Sequence, residues 1–248
     1  MIEHISEEVT KMKNCAVVVC LHGDEPYGLE VERELSNKMK TIIGNPIALE
    51  EKKRFLESDL NRIFPGKKEG DYEEKRAVEI LEEIKEFEYI IDVHSSSSNV
   101  ELFGIITKPD KKKIEFAKSL GLKRLVIMEK NISEGKSMID NVECGISLEI
   151  GPHEKEGNAE KVIDSINKFL NSNESSNEIE TYVVFDIIKA DDFKEAKINN
   201  FIPVKKGEII ATGEKEKIAE FDFIPVLVNE RSYDGVLCLA ARKLKEDL

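Results

Sequence analysis

Short apolar runs alternate with charged, amphipathic stretches through the first two thirds of the chain. Six apolar runs have the length of buried strands, at residues 16–21, 41–44, 89–93, 102–107, 124–128 and 146–150. Between them, four stretches carry apolar residues three and four positions apart, which predicts helices with one face on a sheet: 29–39, 72–87, 111–120 and 156–170. This alternation predicts an α/β fold with a mostly parallel sheet and helices on both sides.

The pattern changes near residue 171, where the run NSNESSNE lacks apolar periodicity and is typical of a linker or an exposed turn. Short apolar runs separated by Gly, Pro, Asn and Lys follow it: TYVVFDIIKA, EIIAT, IAEFDFIPVLV and GVLCLAARK. Runs of this kind favour strands. We therefore expect a larger domain over residues 1–172 and a small β-rich domain over residues 178–248.

Composition narrows the range of partners. The chain has 37 basic and 50 acidic residues and a formal charge of −13, which disfavours nucleic acid and anionic membranes as partners. The first residues are charged and lack the apolar core of a signal peptide, and no later run has the length of a membrane span, so we expect a cytoplasmic protein. The four cysteines lie in apolar segments without the spacing of a metal site or a disulfide framework, and we expect them to be buried free thiols.

Two histidines and a glutamate fall at the ends of predicted strands. His22 and Glu25 follow the first predicted strand, and His94 follows the third. In open α/β sheets, ligands bind beyond the carboxyl ends of the strands, so these residues can meet in one crevice. Two imidazoles and one carboxylate leave a fourth position for water, which is typical of a catalytic zinc. Asp92 points to the same strand face as His94 and is expected to fix the tautomer of a ligand imidazole.

These residues also have an ordinary interpretation. A histidine after a strand is, taken alone, more often a hydrogen-bonded loop residue than a ligand, and the pattern HxxE occurs often by chance. However, the chain has four histidines, and two of them fall at strand ends beside Gly-rich or Ser-rich turns. Their position therefore favours the metal-site interpretation.

Five blocks of sequence, in the same order, resemble the aspartoacylase and succinylglutamate desuccinylase family, which is related to the zinc carboxypeptidases. The blocks are HGDEPYG, NPIALEEKKRFLESDLNRIFPG, DVHSSSSN, SLEIGP, and NFIPVKKGE followed by IPVLVNERSYDG. The resemblance implies a zinc-carboxypeptidase-like α/β domain, with a mostly parallel mixed sheet flanked by helices. It also implies that the small β-rich C-terminal domain closes over the site.

The resemblance implies roles for individual residues. His22, Glu25 and His94 match the family's zinc ligands, so one Zn²⁺ per chain is the implied cofactor. Glu149 matches the carboxylate that takes a proton from the attacking water and returns it to the leaving amine. Arg54 matches the arginine that polarises the scissile carbonyl.

Other matched residues are expected to bind the substrate. Asn61 and Arg62 match the pair that holds the substrate's α-carboxylate, and Tyr233 matches a tyrosine that the C-terminal domain contributes to the pocket. The chain departs from the family at Lys136, the nearest counterpart of an arginine that binds the substrate's side-chain carboxylate, and at His153, which replaces a glutamine. Because a lysine is a point charge rather than a planar fork, this departure implies a weakened or lost preference for an aspartate-like side chain.

These observations predict a zinc-dependent amidohydrolase that cleaves the amide bond of a small-molecule N-acyl amino acid, with no nucleic-acid or membrane partner. One alternative is a carboxypeptidase-like activity on small peptides. A second is a zinc-binding protein without turnover, although metal storage needs neither a water-activating base nor an oxyanion donor. A third, a scaffold protein, leaves the charged residues at the strand ends unexplained. The acyl group, the amino acid and a homo-oligomeric state stay open.

Overall fold

The computed structural model describes residues 13–130, 132–171, 178–190, 193 and 195–245. Its strands are β1 (Cys15–Val19), β2 (Lys40–Ile43), β3 (Tyr89–Ser95), β4 (Phe103–Ile106), β5 (Arg124–Met128), β6 (Gly145–Ile150), β7 (Glu180–Lys189), β8 (Glu195–Ala196), β9 (Ile209–Thr212), β10 (Glu216–Ile218), β11 (Ile224–Val226) and β12 (Val236–Lys243). Its α-helices are α1 (Gly28–Leu35), α2 (Pro46–Glu50), α3 (Tyr72–Ile84), α4 (Lys111–Ser119) and α5 (Asn158–Asn171). Single 3-10 turns lie at Leu60–Arg62 and Met138–Asn141.

Within the described part of the chain, nine strands form one sheet in the order β11-β12-β7-β5-β4-β6-β3-β1-β2. Strand pairs are parallel at β2–β1, β1–β3, β3–β6, β4–β5 and β5–β7. They are antiparallel at β6–β4, β7–β12 and β12–β11. The predicted α/β fold with a mostly parallel mixed sheet and flanking helices is confirmed.

The side chains of β1 show why helices cover both faces of the sheet. Val17 and Val19 belong to a core cluster that includes buried residues of α1, α4 and α5. Ala16 and Val18 belong to another cluster, with buried residues of α3. Successive side chains of a strand point to opposite faces, so one unbroken apolar run contributes to both cores.

The predicted helices are all present, with shorter C-terminal ends in two of them. The first ends at Leu35 rather than at residue 39, and the second at Ile84 rather than at residue 87. The helix α3 begins at a capping box in which Asp71 and Glu74 each accept a hydrogen bond from the other's backbone nitrogen. The helix α2 was not predicted, because five residues are too few to show a helical period.

The sheet continues across the predicted domain boundary. The strand β7 pairs with β5, and β12 pairs with β7. Three consecutive residues of β7, Tyr182, Val183 and Val184, are buried, which gives this strand the apolar character of an interior position. The strands β8, β9 and β10 form a separate small sheet. Residues 172–177 of the predicted linker lie outside the described residues, and the division into domains 1–172 and 178–248 stays a prediction.

All four cysteines are buried and free, as predicted. Burial raises the pKa of Cys20, which lies between β1 and the first candidate ligand, to about 12. Its thiol therefore stays protonated near neutral pH, and a protonated thiol is a poor metal ligand. Among the helices in the described ranges, none combines the length and the apolar character that a membrane span needs.

Candidate metal centre and active site

The turn after β1 brings two loops together. Cys20 has a φ of +54°, and His22 follows two positions later. A Cβ at Gly23 would lie 2.1 Å from the carbonyl carbon of Ala48, so glycine is required at this close approach. Gly23 N donates a hydrogen bond to Arg54 O over 3.1 Å. The close contact therefore places the loop of Arg54 beside His22.

Three candidate metal ligands converge at the carboxyl ends of β1 and β3. Glu25 Oε1 lies 2.8 Å from His22 Nδ1, and Glu25 Oε2 lies 3.3 Å from His94 Nδ1. One donor atom from each residue lies within 4.8 Å of the others, and all three side chains are buried. Ser95 N also donates to Glu25 Oε2 over 3.0 Å, which fixes the carboxylate between the two rings. Two imidazole nitrogens and one carboxylate oxygen are a donor set that fits zinc.

Electrostatics favour the ionised form of the central carboxylate. Burial alone would raise the pKa of Glu25, but the adjacent His94 and His22 rings hold this pKa well below its usual range. Conversely, burial would lower the pKa of His94, but Asp92 and Glu25 raise it well above its usual value. The pocket thus stabilises a positive charge where the two Nδ1 atoms and the carboxylate meet, which is the charge that a metal cation supplies.

Carboxylates hold the far nitrogens of both rings. His94 Nε2 lies 2.8 Å from Asp92 Oδ2, and Ser147 Oγ donates to the same oxygen over 3.1 Å. His22 Nε2 lies 3.1 Å from Asp59 Oδ1. A carboxylate that accepts the Nε2 proton leaves the Nδ1 lone pair directed towards the shared centre, which is the tautomer that a metal ligand needs. The role of Asp92 was predicted from sequence, whereas that of Asp59 was not.

Glu149 lies on β6 beside His94 on β3, since these two residues are partners in the parallel register. Neighbouring strands are about 4.8 Å apart, so the carboxyl group is close to the ligand centre. Burial raises the pKa of Glu149 to about 8, and the negative charges of Glu25 and Glu230 act in the same direction. The carboxyl group is therefore set to exchange a proton near neutral pH.

The predicted substrate-binding residues Asn61 and Arg62 lie in the 3-10 turn that follows the Arg54 loop. Arg54 Nε donates to Asp59 Oδ2 over 3.1 Å, and its NH2 lies 2.9 Å from His22 Nε2. Asn61 Nδ2 lies 3.0 Å from His94 Nε2. The guanidinium of Arg62 lies 5.9 Å from the ring centroid of Tyr233, within the range of a cation–π contact.

The C-terminal segment is attached to the turn after His94 through Glu230, a residue for which the sequence suggested no role. The Glu230 carboxylate accepts hydrogen bonds from Ser96 Oγ, from Ser97 N over 2.8 Å and from Ser232 N over 3.0 Å. Its position in the NERSYDG block, three residues before Tyr233, was the only hint available from the sequence. This contact holds Tyr233 above the centre, where burial raises the pKa of its hydroxyl.

A cavity of about 60 Å³ joins these groups. A water needs about 10–15 Å³ by the same measure, so several waters or a small polar group fit beside the ligands. Most of the predicted site residues line this cavity, namely His22, Glu25, Arg54, Asn61, Arg62, His94, Glu149 and Tyr233. The buried Asp92 lies behind His94 and reaches the site through that ring.

The model of the succinylglutamate desuccinylase/aspartoacylase catalytic domain matches residues 11–173, more than half of the chain. The chain belongs to this family. A probable aspartoacylase from Prochlorococcus marinus is 27% identical over 185 residues, which are 65% of this chain and 61% of that protein. An N-acyl-aromatic-L-amino acid amidohydrolase (carboxylate-forming) from Danio rerio is 28% identical over 170 residues, 55% of this chain and 54% of that protein. The chain thus spans less than two thirds of the length of these relatives.

Solved structures of other proteins share the fold. Murine aminoacylase 3 superimposes with a TM-score of 0.76 at 19% identity, covering 94% of this chain and 96% of that one. A succinylglutamate desuccinylase/aspartoacylase from Rhodobacter sphaeroides superimposes with a TM-score of 0.75 at 14% identity, covering 95% and 87%. At these identities the likeness concerns the fold.

Two residues at which the chain departs from the desuccinylase/aspartoacylase family lie away from the centre. Lys136 is exposed and does not line the cavity, so the structure does not bring it to the predicted position beside the substrate. His153 Nδ1 lies 2.7 Å from Ser95 Oγ, and His153 lines a separate, more open depression. The predicted role of Lys136 beside the substrate's side-chain carboxylate stays a prediction.

Proposed function

We propose that the protein hydrolyses the amide bond of an N-acyl amino acid with the help of a zinc ion held by His22, Glu25 and His94. The observation that carries the proposal is the position of a carboxyl group with a raised pKa, Glu149, on the strand next to His94 and in the same cavity as the three ligands. A zinc site without turnover has no need for this group. The products are a carboxylic acid and a free amino acid.

When bound, zinc lowers the pKa of a coordinated water and polarises the carbonyl of the scissile amide. The ionised Glu149 carboxylate accepts a proton from the attacking water, which then adds to the carbonyl carbon. The same carboxyl group returns that proton to the amide nitrogen as the C–N bond breaks. One buried group thus serves as base and then as acid.

Two arginines have separate roles in this scheme. Arg54, held by Asp59 beside His22, donates hydrogen bonds to the oxyanion that develops on the carbonyl oxygen. Arg62 and Asn61 bind the α-carboxylate, for which a planar guanidinium gives two parallel hydrogen bonds. Tyr233, packed against Arg62, limits the room around this carboxylate.

The small volume of the cavity favours a small substrate over a peptide. The hydrogen bonds of Glu230 to Ser96 and Ser97 fasten the C-terminal segment beside the site, which supports a small substrate over an extended chain. We include in the proposal that this segment is the part of the predicted small domain that closes over the centre. An N-acyl amino acid, with an acyl group on one side of the amide and one amino acid on the other, is a substrate of this kind.

The proposal is tested by metal analysis of the purified protein together with amine release from a panel of N-acyl amino acids, with and without a chelator. We expect about one zinc per chain and chelator-sensitive release. Replacing His22 or His94 with Ala should remove both the metal and the activity, whereas Glu149→Ala should keep the metal and lose turnover. Near-normal rates in Glu149→Ala would show that the mechanism is wrong, and a protein without metal affinity would remove its basis.

A further inference from the structure

One wall of the cavity is apolar. Ile105, Met128, Ile139 and Leu227 line the cavity, and each is buried, with 1–8% of its surface exposed. All four belong to a single core cluster, against which Tyr233 also packs. We refer to these four residues as the apolar wall. Because they are fixed by the packing of the core, the wall is a preformed part of the site.

The apolar wall lies next to Asn61 and Arg62, the proposed clamp for the substrate's α-carboxylate. Asn61 Oδ1 accepts a hydrogen bond from Met138 N over 2.9 Å, and the following residue is Ile139 of the wall. Arg62 contacts the ring of Tyr233, which packs against the wall's cluster. In an amino acid, the side chain branches from the carbon that carries the α-carboxylate. A substrate held by Asn61 and Arg62 therefore directs its side chain along the wall.

Charges around the cavity disfavour a second carboxylate on the substrate. Of the described residues that line the cavity, the acids are Glu25, Glu149 and Glu230, and the bases are Arg54, Arg62 and the two candidate metal ligands His22 and His94. Arg54 is already paired with Asp59, with 3.1 Å between NH2 and Oδ2. Since Arg54 is assigned to the oxyanion and both histidines to the metal, Arg62 is the base available for the α-carboxylate, and a side-chain carboxylate directed along the apolar wall would meet apolar groups. A buried charge without a partner is costly.

We propose that the substrate of this enzyme is an N-acyl amino acid with an apolar side chain and a single carboxylate, and that the apolar wall selects it. This inference rests on the proposed function and narrows it. The wall acts by two means: it buries the substrate's apolar side chain, and it offers no counter-charge to an aspartate or glutamate side chain. Ile139, nearest in sequence to the clamp's hydrogen bond, is the main specificity-determining residue.

The test uses a pair of substrates with similar shape and different charge. Leucine and aspartate side chains both branch into two terminal groups at the same carbon, so N-acetyl-L-leucine and N-acetyl-L-aspartate differ mainly by ionisation. We expect the zinc-loaded protein to favour the leucine derivative in kcat/KM by at least about 100-fold, since the discrimination comes from desolvating an unpaired charge. Equal rates, or a preference for aspartate, would overturn the proposal.

Single substitutions test which residue determines the preference between the two substrates. Ile139→Ala should lower kcat/KM for the leucine derivative about tenfold and reduce its ratio to kcat/KM for the aspartate derivative, because it removes apolar contacts only. Ile224→Ala is the matched control: Ile224 packs against the same cluster but does not line the cavity, so the ratio of the two substrates should stay the same. A selective loss of aspartate hydrolysis in Lys136→Ala would show that this lysine reads the side chain, against the proposal.

A binding measurement separates this inference from the proposed function. Calorimetric titration of zinc-loaded Glu149→Ala with the same two N-acetyl amino acids reports selectivity without turnover. Preferential binding of the leucine derivative, combined with no hydrolysis by the wild-type protein, would support selection by the apolar wall and contradict the proposed deacylation. Binding of neither compound, or tighter binding of the aspartate derivative, would refute the wall as a specificity site.

Discussion

Glu73 holds the loop that carries Arg54 and Asp59, and its substitution gives the most informative test of how the site is built. This residue lies in the first turn of α3 and is fully buried. Its Oε1 accepts hydrogen bonds from Asn45 Nδ2 over 3.1 Å and from Leu56 N over 2.7 Å. Its Oε2 accepts hydrogen bonds from the backbone nitrogens of residues 57 and 58 over 3.2 and 3.3 Å.

The substitution Glu73→Gln keeps the shape of the side chain and replaces one acceptor oxygen by an NH2 group. Whichever oxygen is replaced, two donors lose their acceptor and face a donor instead. A hydrogen bond to a charged group contributes about 1.5–3 kcal/mol, so two lost bonds cost about 3 kcal/mol at the lower limit. For a chain of this size, 1 kcal/mol shifts Tm by about 2–4 °C, so we expect a decrease of about 6–12 °C.

The same change should lower activity through Arg54. When the loop of residues 56–58 loses its anchor, the guanidinium is no longer held beside His22, and we expect kcat to fall about tenfold or more. Thermal and urea unfolding of the zinc-loaded protein, followed by steady-state kinetics, measure both effects. Glu79→Gln is the control on the same helix: this side chain is 62% exposed in an ion pair with Arg76, and its loss should change the free energy of unfolding by less than about 0.5 kcal/mol. If Glu73→Gln unfolds like this control, the anchoring argument is wrong.

Three further predictions concern the centre itself. In the metal-free protein the pKa of Glu149 is raised from 4.5 to about 8, so the folded state binds more protons between these pH values and the group's contribution to stability is lost as pH rises from about 4.5 to 8. The difference between wild type and Glu149→Gln in urea unfolding should follow this pH window with a ceiling of about 5 kcal/mol, and a pH-independent difference would exclude the raised pKa. Arg62→Lys should chiefly raise KM, since it removes a two-bond clamp that acts on substrate and transition state alike; an effect on kcat alone would contradict that role. Asp92→Asn should weaken zinc affinity by about 10–100-fold in competition with a chromophoric chelator, and unchanged affinity would show that its contact with His94 does not tune the ligand.

Much of the fold could be predicted from the sequence because strands and helices have different apolar periods. The unbroken run at β1 and the three- and four-residue spacing in α3 both depend on local geometry alone. The order of the strands in the sheet cannot be predicted in this way, because it does not depend on local geometry. The antiparallel insertion of β4 beside β6, and the addition of β7 and β12 to the main sheet, depend on contacts between distant segments. A polar linker suggested a boundary, but polarity at 171–178 says nothing about which strands pair afterwards.

The metal ligands were accessible to sequence reasoning because they follow strands and belong to a recognisable motif. The acidic residues that hold these ligands and the neighbouring loops in place could not be predicted from the sequence. Asp59, Glu73 and Glu230 each lie in charged or polar segments, where an acidic residue is usually solvated. Glu73 and Glu230 are buried, whereas Asp59 is half-buried. Asp59 contacts His22, Glu73 accepts a hydrogen bond from Ser58 N, and Glu230 accepts one from Ser97 N, all between segments distant in sequence. Such partners are fixed by tertiary structure.

Substrate specificity depends on which individual side chains of one turn face the cavity. In the segment around Met138–Asn141, Ser137 and Ile139 line the cavity, Met138 packs into the cluster with α3, and Lys136 is exposed. Adjacent residues in a 3-10 turn point in directions about 120° apart, so an alignment error of a few positions exchanges a charged contact for an apolar one. In our proposals, the reaction class rests on ligands whose spacing along the chain is fixed, whereas the substrate's side chain contacts a turn whose register the sequence leaves open. The family resemblance can therefore suggest the chemistry more readily than the residue that contacts the substrate's side chain.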